Sequence, residues 1–193
     1  GRELQTAMER LSSGKKINSA ADDAAGFAIA ESMTAQIGGL SMAAKNASDG
    51  LSLLKVVENA TNDVTDMLQR IRELAVQAKS GTNSADDIAN LQLEAEALMD
   101  EITRVSDSTT FNGVAYLAKD SAGNASRTVN IQVGYNDGDN ISLTTNAVSA
   151  IDLSLVTDAD ADGVNDAGEY LDISSNTALN TISTAIETVA GYK

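Results

Sequence analysis

The stretch "MTAQIGGLSMAAKNASDGLSLLKVVENATNDVTDMLQRIRELAVQAK", Met33 to Lys79, decides the fold. Met33, Ile37, Leu40, Ala44, Ala47, Leu51 and Leu54 alternate steps of four and three. After one three-residue step the alternation resumes at Val57, Ala60, Val64, Met67, Ile71, Leu74 and Ala78. Residues so spaced share one helix face, and a sustained heptad makes that face a seam for another helix, here with one stammer. The chain contains no proline to interrupt it, so the spacing predicts a single helix from about Ala24 to Lys79.

Gly81, Thr82 and Asn83 end that helix, and Ser84 with Asp87 three positions later is a capping signature for the next. Ile88, Leu91, Ala95, Leu98, Ile102 and Val105 again alternate in threes and fours, so the second helix is expected to lie antiparallel on the first. Two helices cannot shield a seam this long. A third apolar face is available in Leu179, Ile182, Ile186 and Val189. Val129, Ile131 and Val133 alternate before the turn-rich stretch from Gly134 to Asn140, and Ile141 and Leu143 alternate after it, which predicts a β-hairpin. The expected fold is therefore mainly α with a small β-element: an elongated antiparallel helical rod or coiled-coil bundle capped by a β-hairpin region. Gly38, Gly39 and Gly50 fall inside the long helix, where each costs about 1 kcal/mol relative to Ala. Close helix packing accounts for them more simply than contact with a neighbouring subunit.

Composition narrows the chemistry. The 193 residues include neither His nor Cys, so the usual neutral-pH base, zinc ligands and thiol nucleophile are missing. Two Phe and no Trp leave little to wall a dry pocket. The reading is that the chain is not an enzyme and requires no cofactor. A net charge of −15 opposes nucleic acid and anionic membrane as partners. No apolar run approaches the roughly 20 residues that span a bilayer, and the front carries no secretory signal.

"ERLSSGKKINSAADDAAGFAIAESMTAQIGGL", "NASDGLSLLKVVENA", "LQRIRELAVQA", "TNSADDIANLQLEAEALMDEITRVSDSTTFNGV" and "IQVGYNDGD" are together similar to the N-terminal region of bacterial flagellins, and "NTALNTISTAIETV" resembles the return helix of the same rod. The resemblance implies a structural subunit of the flagellar filament, secreted and extracellular, that assembles with other flagellin subunits for motility. In that family the rod forms the filament's inner wall and terminal helices form its core. Most of that core is absent, so the chain reads as a fragment cut from a longer subunit and is expected to stay monomeric. Residues 1–23 are then the end of a core helix and an irregular spoke, 24–110 the N-terminal part of the rod, 111–174 the hairpin region with a short variable insert, and 175–193 the start of the return helix.

The same resemblance implies a second role. Arg70, Leu74 and Glu94 match the centre of the patch recognised by the vertebrate receptor Toll-like receptor 5, with Gln69, Glu73 and Gln77 around it. Arg70 and Leu74 are four apart and share a helix face. Periodicity alone assigns Leu74 to the core, and the family match assigns it to the patch.

One motif owes nothing to the family. In "DADADGVNDAGE", Asp158, Asp160, Asp162, Gly163 and Glu169 hold positions 1, 3, 5, 6 and 12 of a calcium loop. The expected Ca²⁺ ligands are the Asp158, Asp160 and Asp162 carboxylates, the Val164 carbonyl, Asp166 and Glu169. Asn165 departs from the apolar eighth position, and "AIDLSLV" before the loop alternates like a strand. The rival readings are a flagellar hook–filament junction protein, which shares the rod motifs, and a secreted calcium-binding adhesion module.

Overall fold

The computed structural model describes residues 1–19, 21, 23–166 and 168–192. Its helices are α1 (Arg2–Ser13), α2 (Ala24–Ala78), α3 (Ala85–Ser108) and α4 (Ala178–Gly191), and its strands β1 (Thr110–Phe111), β2 (Val114–Ala115), β3 (Ser126–Gln132) and β4 (Asn140–Asn146). The strands make two-stranded pairs, β1 with β2 and β3 with β4. The chain is thus mainly α with small β-elements, as its spacing predicts.

The helix ends follow from local chemistry. Gly14 closes α1 in the left-handed conformation (φ 68°), donating its N–H to the Arg10 carbonyl. The Asp23 carboxylate accepts from the Gly26 N–H at 3.0 Å, meeting one orphan donor at the start of α2. At the other end the Asn83 amide donates to the Gln77 carbonyl at 2.6 Å. Ser84 and Asp87 form the expected capping box: the Asp87 N–H donates to Ser84 Oγ at 3.1 Å, and the Ser84 N–H to Asp87 Oδ2 at 2.8 Å.

The chain divides into two compact units, and α2 contributes to both. One comprises residues 1–49 with 130–141, the other residues 50–129 with 142–193.

In the first unit the β-hairpin lies on α2 through small residues. The Asn46 amide donates to the Gln132 carbonyl at 3.1 Å. A β-carbon built at Gly39 would lie 2.7 Å from Tyr135 Cβ, so only glycine admits the hairpin this closely. Gly39 therefore serves packing, while a β-carbon at Gly38 would meet open space.

The second unit holds the main core. Ala60, Val64, Leu68, Ile71, Leu74, Ala75 and Ala78 of α2 pack with Ala95, Met99 and Ile102 of α3 and with Ile182, Ala185 and Val189 of α4. Two polar ties accompany the packing: Arg72 Nε donates to Ser183 Oγ at 3.3 Å and Lys79 Nζ to the Ser175 carbonyl at 2.7 Å. The segment after β4 does more than connect, because Val148, Ala150, Leu155 and Ile173 are fully buried in the same core. Gln92 of α3 holds this segment from both sides, donating to the Leu171 carbonyl and accepting from the Ile173 N–H, each at 3.0 Å.

After α3, β1 and β2 form a tight hairpin, Thr110 opposite Ala115 and Phe111 opposite Val114. The sequence signal for it is the dipeptide Asn112-Gly113, whose φ values of 51° and 78° suit a type I′ turn.

The seam read from the sequence is covered continuously only from Val57 onward; Leu51 and Leu54, also in the second unit, are 62% and 41% exposed. Val57, Ala60, Val64, Met67, Ile71, Leu74 and Ala78 are buried or half-buried. In the first unit the same seam is bare: Met33 is 56% exposed, Ile37 67% and Leu40 49%. The covered stripe there is instead Gly39, Ala43 and Asn46, rotated about a quarter turn round the helix, because the hairpin backbone needs small residues beneath it.

Candidate functional site

Three surfaces bear on function. The first is the bare stripe. Met33, Ile37 and Leu40 in the first unit, and Leu51 and Leu54 in the second, are large apolar side chains of the heptad seam left largely in water, and Ile29, one turn before Met33, is exposed too. Leu4, Met8 and Leu11 make a similar exposed row on α1. Contiguous apolar surface of this kind marks a face that is buried by something else.

The second surface lies on α2 and α3 in the second unit. Arg70 Nη2 lies 2.7 Å from Glu94 Oε1, Arg70 Nε donates to the same oxygen at 3.0 Å, and Arg70 Nη1 reaches Glu73 Oε2 at 3.3 Å. The bonds to Glu94 and then Glu73 push the guanidinium further above its ordinary value. Gln69 and Gln77 are exposed beside them. Leu74 is not part of this surface: at 0% exposure it belongs to the core. The correction has a simple cause, since Leu74 and Ala75 both face α3 and α4, leaving the family-matched anchor beneath the charges.

The third is the acidic loop. Its ends are pinned together, with Val156 and Tyr170 forming an antiparallel bridge. The Thr157 N–H donates to the Glu169 carbonyl at 2.9 Å, and the Leu171 N–H to the Leu155 carbonyl at 2.8 Å. Tyr170 Oη donates to Asp100 Oδ1 at 2.6 Å, and the Asn165 amide donates to the same oxygen at 3.0 Å, fastening the loop to α3. Burial first, and then the Asp100 bond and charge, hold the Tyr170 phenol well above its ordinary value.

Within the loop, carboxylate oxygens of Asp158, Asp160 and Asp162 lie within 4.8 Å of one another. The other two expected carboxylate ligands, Asp166 and Glu169, are not gathered with them. Glu169 Oε1 accepts from the Ala159 N–H at 2.8 Å and Oε2 from the Asp166 N–H at 3.0 Å, so both its oxygens close the loop upon itself. Asp166 lies outside the trio, and Val164 sits exposed on the loop. At Asp160 the Asp162 N–H lowers the carboxyl's pKa, but lost solvation and the charges of Asp162, Glu169 and Asp166 outweigh it and hold the group above its ordinary value. Such mutual repulsion is what a cation would relieve.

Comparison with known proteins places the chain. The family described as "Bacterial flagellin N-terminal helical region" matches residues 1–122. A flagellin of Salmonella muenchen is 50% identical over 152 residues, 79% of this chain and 29% of that relative. Flagellin 1 of Proteus mirabilis is 48% identical over 155 residues, 80% of this chain and 41% of its own length. Phase 1 flagellin of Salmonella naestved aligns over 189 residues at 41% identity, 98% of this chain and 34% of the relative. The chain thus spans well under half the length of these relatives. The crystal structure of Bacillus cereus flagellin superposes with a TM-score of 0.57 at 26% identity, covering 77% of this chain and 78% of that one. On the family match and these identities, this chain belongs to the bacterial flagellin family.

Proposed function

We propose that the chain is the assembling part of a non-catalytic filament subunit of the bacterial flagellum, working outside the cell with other copies of itself. The observation that carries this reading is the row of exposed large apolar side chains on α2, Ile29, Met33, Ile37, Leu40, Leu51 and Leu54, in a chain whose relatives are flagellins. Burying one large apolar side chain contributes about 1.5–3 kcal/mol, so a row of six is costly to leave in water. Its proposed cover is the subunit's own return helix, which begins with α4. Tyr192, at the end of α4, lines a small groove with Leu54, Val57 and Thr61 of α2, at the edge of the bare stripe. Subunits closed in this way then pack with copies of themselves, and residues 1–193 alone remain monomeric. The test is sedimentation of this chain beside the intact subunit at high salt. Filaments from the intact subunit only would support the reading, and filaments from residues 1–193 would sink it.

Two finer proposals accompany it. The monomer is read as a ligand of vertebrate Toll-like receptor 5 through Gln69, Arg70, Glu73, Gln77 and Glu94, with Leu74 supporting the patch from beneath. Support comes from the exposed Arg70–Glu94 pair, which joins the α2 and α3 faces into one polar surface. Binding measured with Arg70→Ala and Glu94→Ala checks it: unchanged affinity in both would refute the assignment.

The acidic loop is proposed to take Ca²⁺ at Asp158, Asp160 and Asp162, on the strength of their convergence. Glu169 would have to leave the Ala159 and Asp166 amides to become a ligand. A loop with this reduced set belongs with weak extracellular sites, whose dissociation constants are about 10⁻⁴–10⁻³ M.

A further inference from the structure

We propose that Asn112 is this chain's site of spontaneous deamidation and isoaspartate formation, gated by opening of the β1–β2 hairpin. Asn112 is the one asparagine in the sequence followed by glycine; Asn18 and Asn83 precede Ser, and Asn62, Asn136 and Asn165 precede Asp. The reaction requires the main-chain nitrogen of the following residue to reach the asparagine Cγ, and glycine alone brings no β-carbon into that approach. Both Asn112 and Gly113 are exposed, so water and base have access.

The balance needs no oxidant or reductant. Base removes the Gly113 amide proton, the Gly113 nitrogen attacks Asn112 Cγ, and the new C–N bond forms as Cγ–Nδ2 breaks, releasing ammonia. Water then opens the five-membered imide. Attack at one carbonyl gives aspartate. Attack at the other gives isoaspartate, with the main chain rerouted through Cγ.

The fold sets the rate. With φ of 51° and 78°, Asn112 and Gly113 sit in a type I′ turn. Attack requires the peptide after Asn112 to rotate out of that left-handed arrangement, so the turn must open first. The hairpin is held by only two residue pairs, Thr110 with Ala115 and Phe111 with Val114. Isolated two-stranded ribbons are marginal in water, and short exposed elements open far below the global unfolding free energy. The hairpin therefore delays the reaction without preventing it.

The product has a structural consequence. Isoaspartate lengthens the main chain by one carbon and adds a negative charge, so the two-residue turn can no longer keep Phe111 opposite Val114. It also creates a carboxyl of the class that isoaspartyl methyltransferases accept, with S-adenosylmethionine as methyl donor.

Those enzymes supply the assay. The chain is aged at mildly alkaline pH, methylated with labelled donor and mapped by peptide. The label is expected first in the peptide holding residue 112, with loss of one ammonia there, before any change at Asn18 or Asn83. Asn112→Gln should lose that label while keeping its helical circular dichroism. Urea sufficient to open the hairpin should speed conversion at residue 112. Label accumulating first at another asparagine, or surviving intact in Asn112→Gln, overturns the site. A rate at residue 112 that urea leaves unchanged overturns the gating.

Discussion

Arg70 and Leu74 stand one helical turn apart on α2, yet Arg70 lies in the open, 2.7 Å from Glu94, while Leu74 has no exposed surface at all. The two positions therefore separate by mechanism. Leu74→Ala leaves a cavity between α2, α3 and α4 and should lower stability by about 2–5 kcal/mol. Arg70→Ala should leave stability nearly unchanged, since exposed ion pairs are worth little. Urea unfolding of both variants checks this. Equal midpoints for Leu74→Ala and the parent chain would return Leu74 to the surface patch.

The close approach of Tyr135 to Gly39 predicts a local effect of a small substitution. Gly39→Ala gains about 1 kcal/mol of helix propensity, but its β-carbon would meet Tyr135 at 2.7 Å, so the hairpin must shift. The expected outcome is faster amide exchange in residues 130–141 with the second unit untouched. Gly38→Ala, with no atom nearby, should stabilise the helix and leave the hairpin unchanged.

Much of this was legible from spacing, and the misses have physical causes. The boundaries of α2 and the Ser84–Asp87 cap rest on local chemistry that the sequence carries directly. The covered stripe in the first unit does not, because Gly39, Ala43 and Asn46 have no apolar signature; they are buried by a hairpin almost 90 residues away whose backbone needs room. Val148, Leu155 and Ile173 lie in a segment too irregular for periodicity to mark their part in the core. The β1–β2 hairpin could have been found from Asn112-Gly113. Leu74 shows the reverse case: its spacing read it correctly, and resemblance moved it to the surface. In the acidic loop the sequence supplied six candidate ligands, but it could not reveal that the Glu169 oxygens are taken by backbone donors.

The capping box of α3 makes a pH prediction. The Ser84 N–H and then its hydroxyl hold the Asp87 carboxyl below its ordinary value of 3.8. A carboxyl with a depressed folded value contributes stability above its unfolded pKa and loses it as pH falls through the folded one. Amide exchange at Ser84 should therefore accelerate below about pH 4, and Asp87→Asn should flatten that dependence. An identical pH profile in the variant would show that the box does not hold the helix start.

Calcium should act on the loop alone. Thermal unfolding and titration calorimetry of chelator-treated chain are expected to show one weak site, removed by Asp160→Ala. Because Asp160 already holds its proton above the ordinary range, binding should weaken as pH is lowered toward about 4. No heat at about 5 mM Ca²⁺, at or above the usual extracellular range, would reduce the motif to acidic composition.

The central claim is that the bare stripe of α2 is an assembly determinant, and its most direct test places Met33→Ser, Ile37→Ser and Leu40→Ser together in the intact subunit. All three side chains are at least half exposed or nearly so in this chain, so its helix content should not change. If the return helix must cover the stripe before subunits can pack, the critical concentration for filament formation should rise by at least about tenfold, from the loss of apolar burial at three positions. Filaments forming at the parent's critical concentration, with helix content intact, would contradict it.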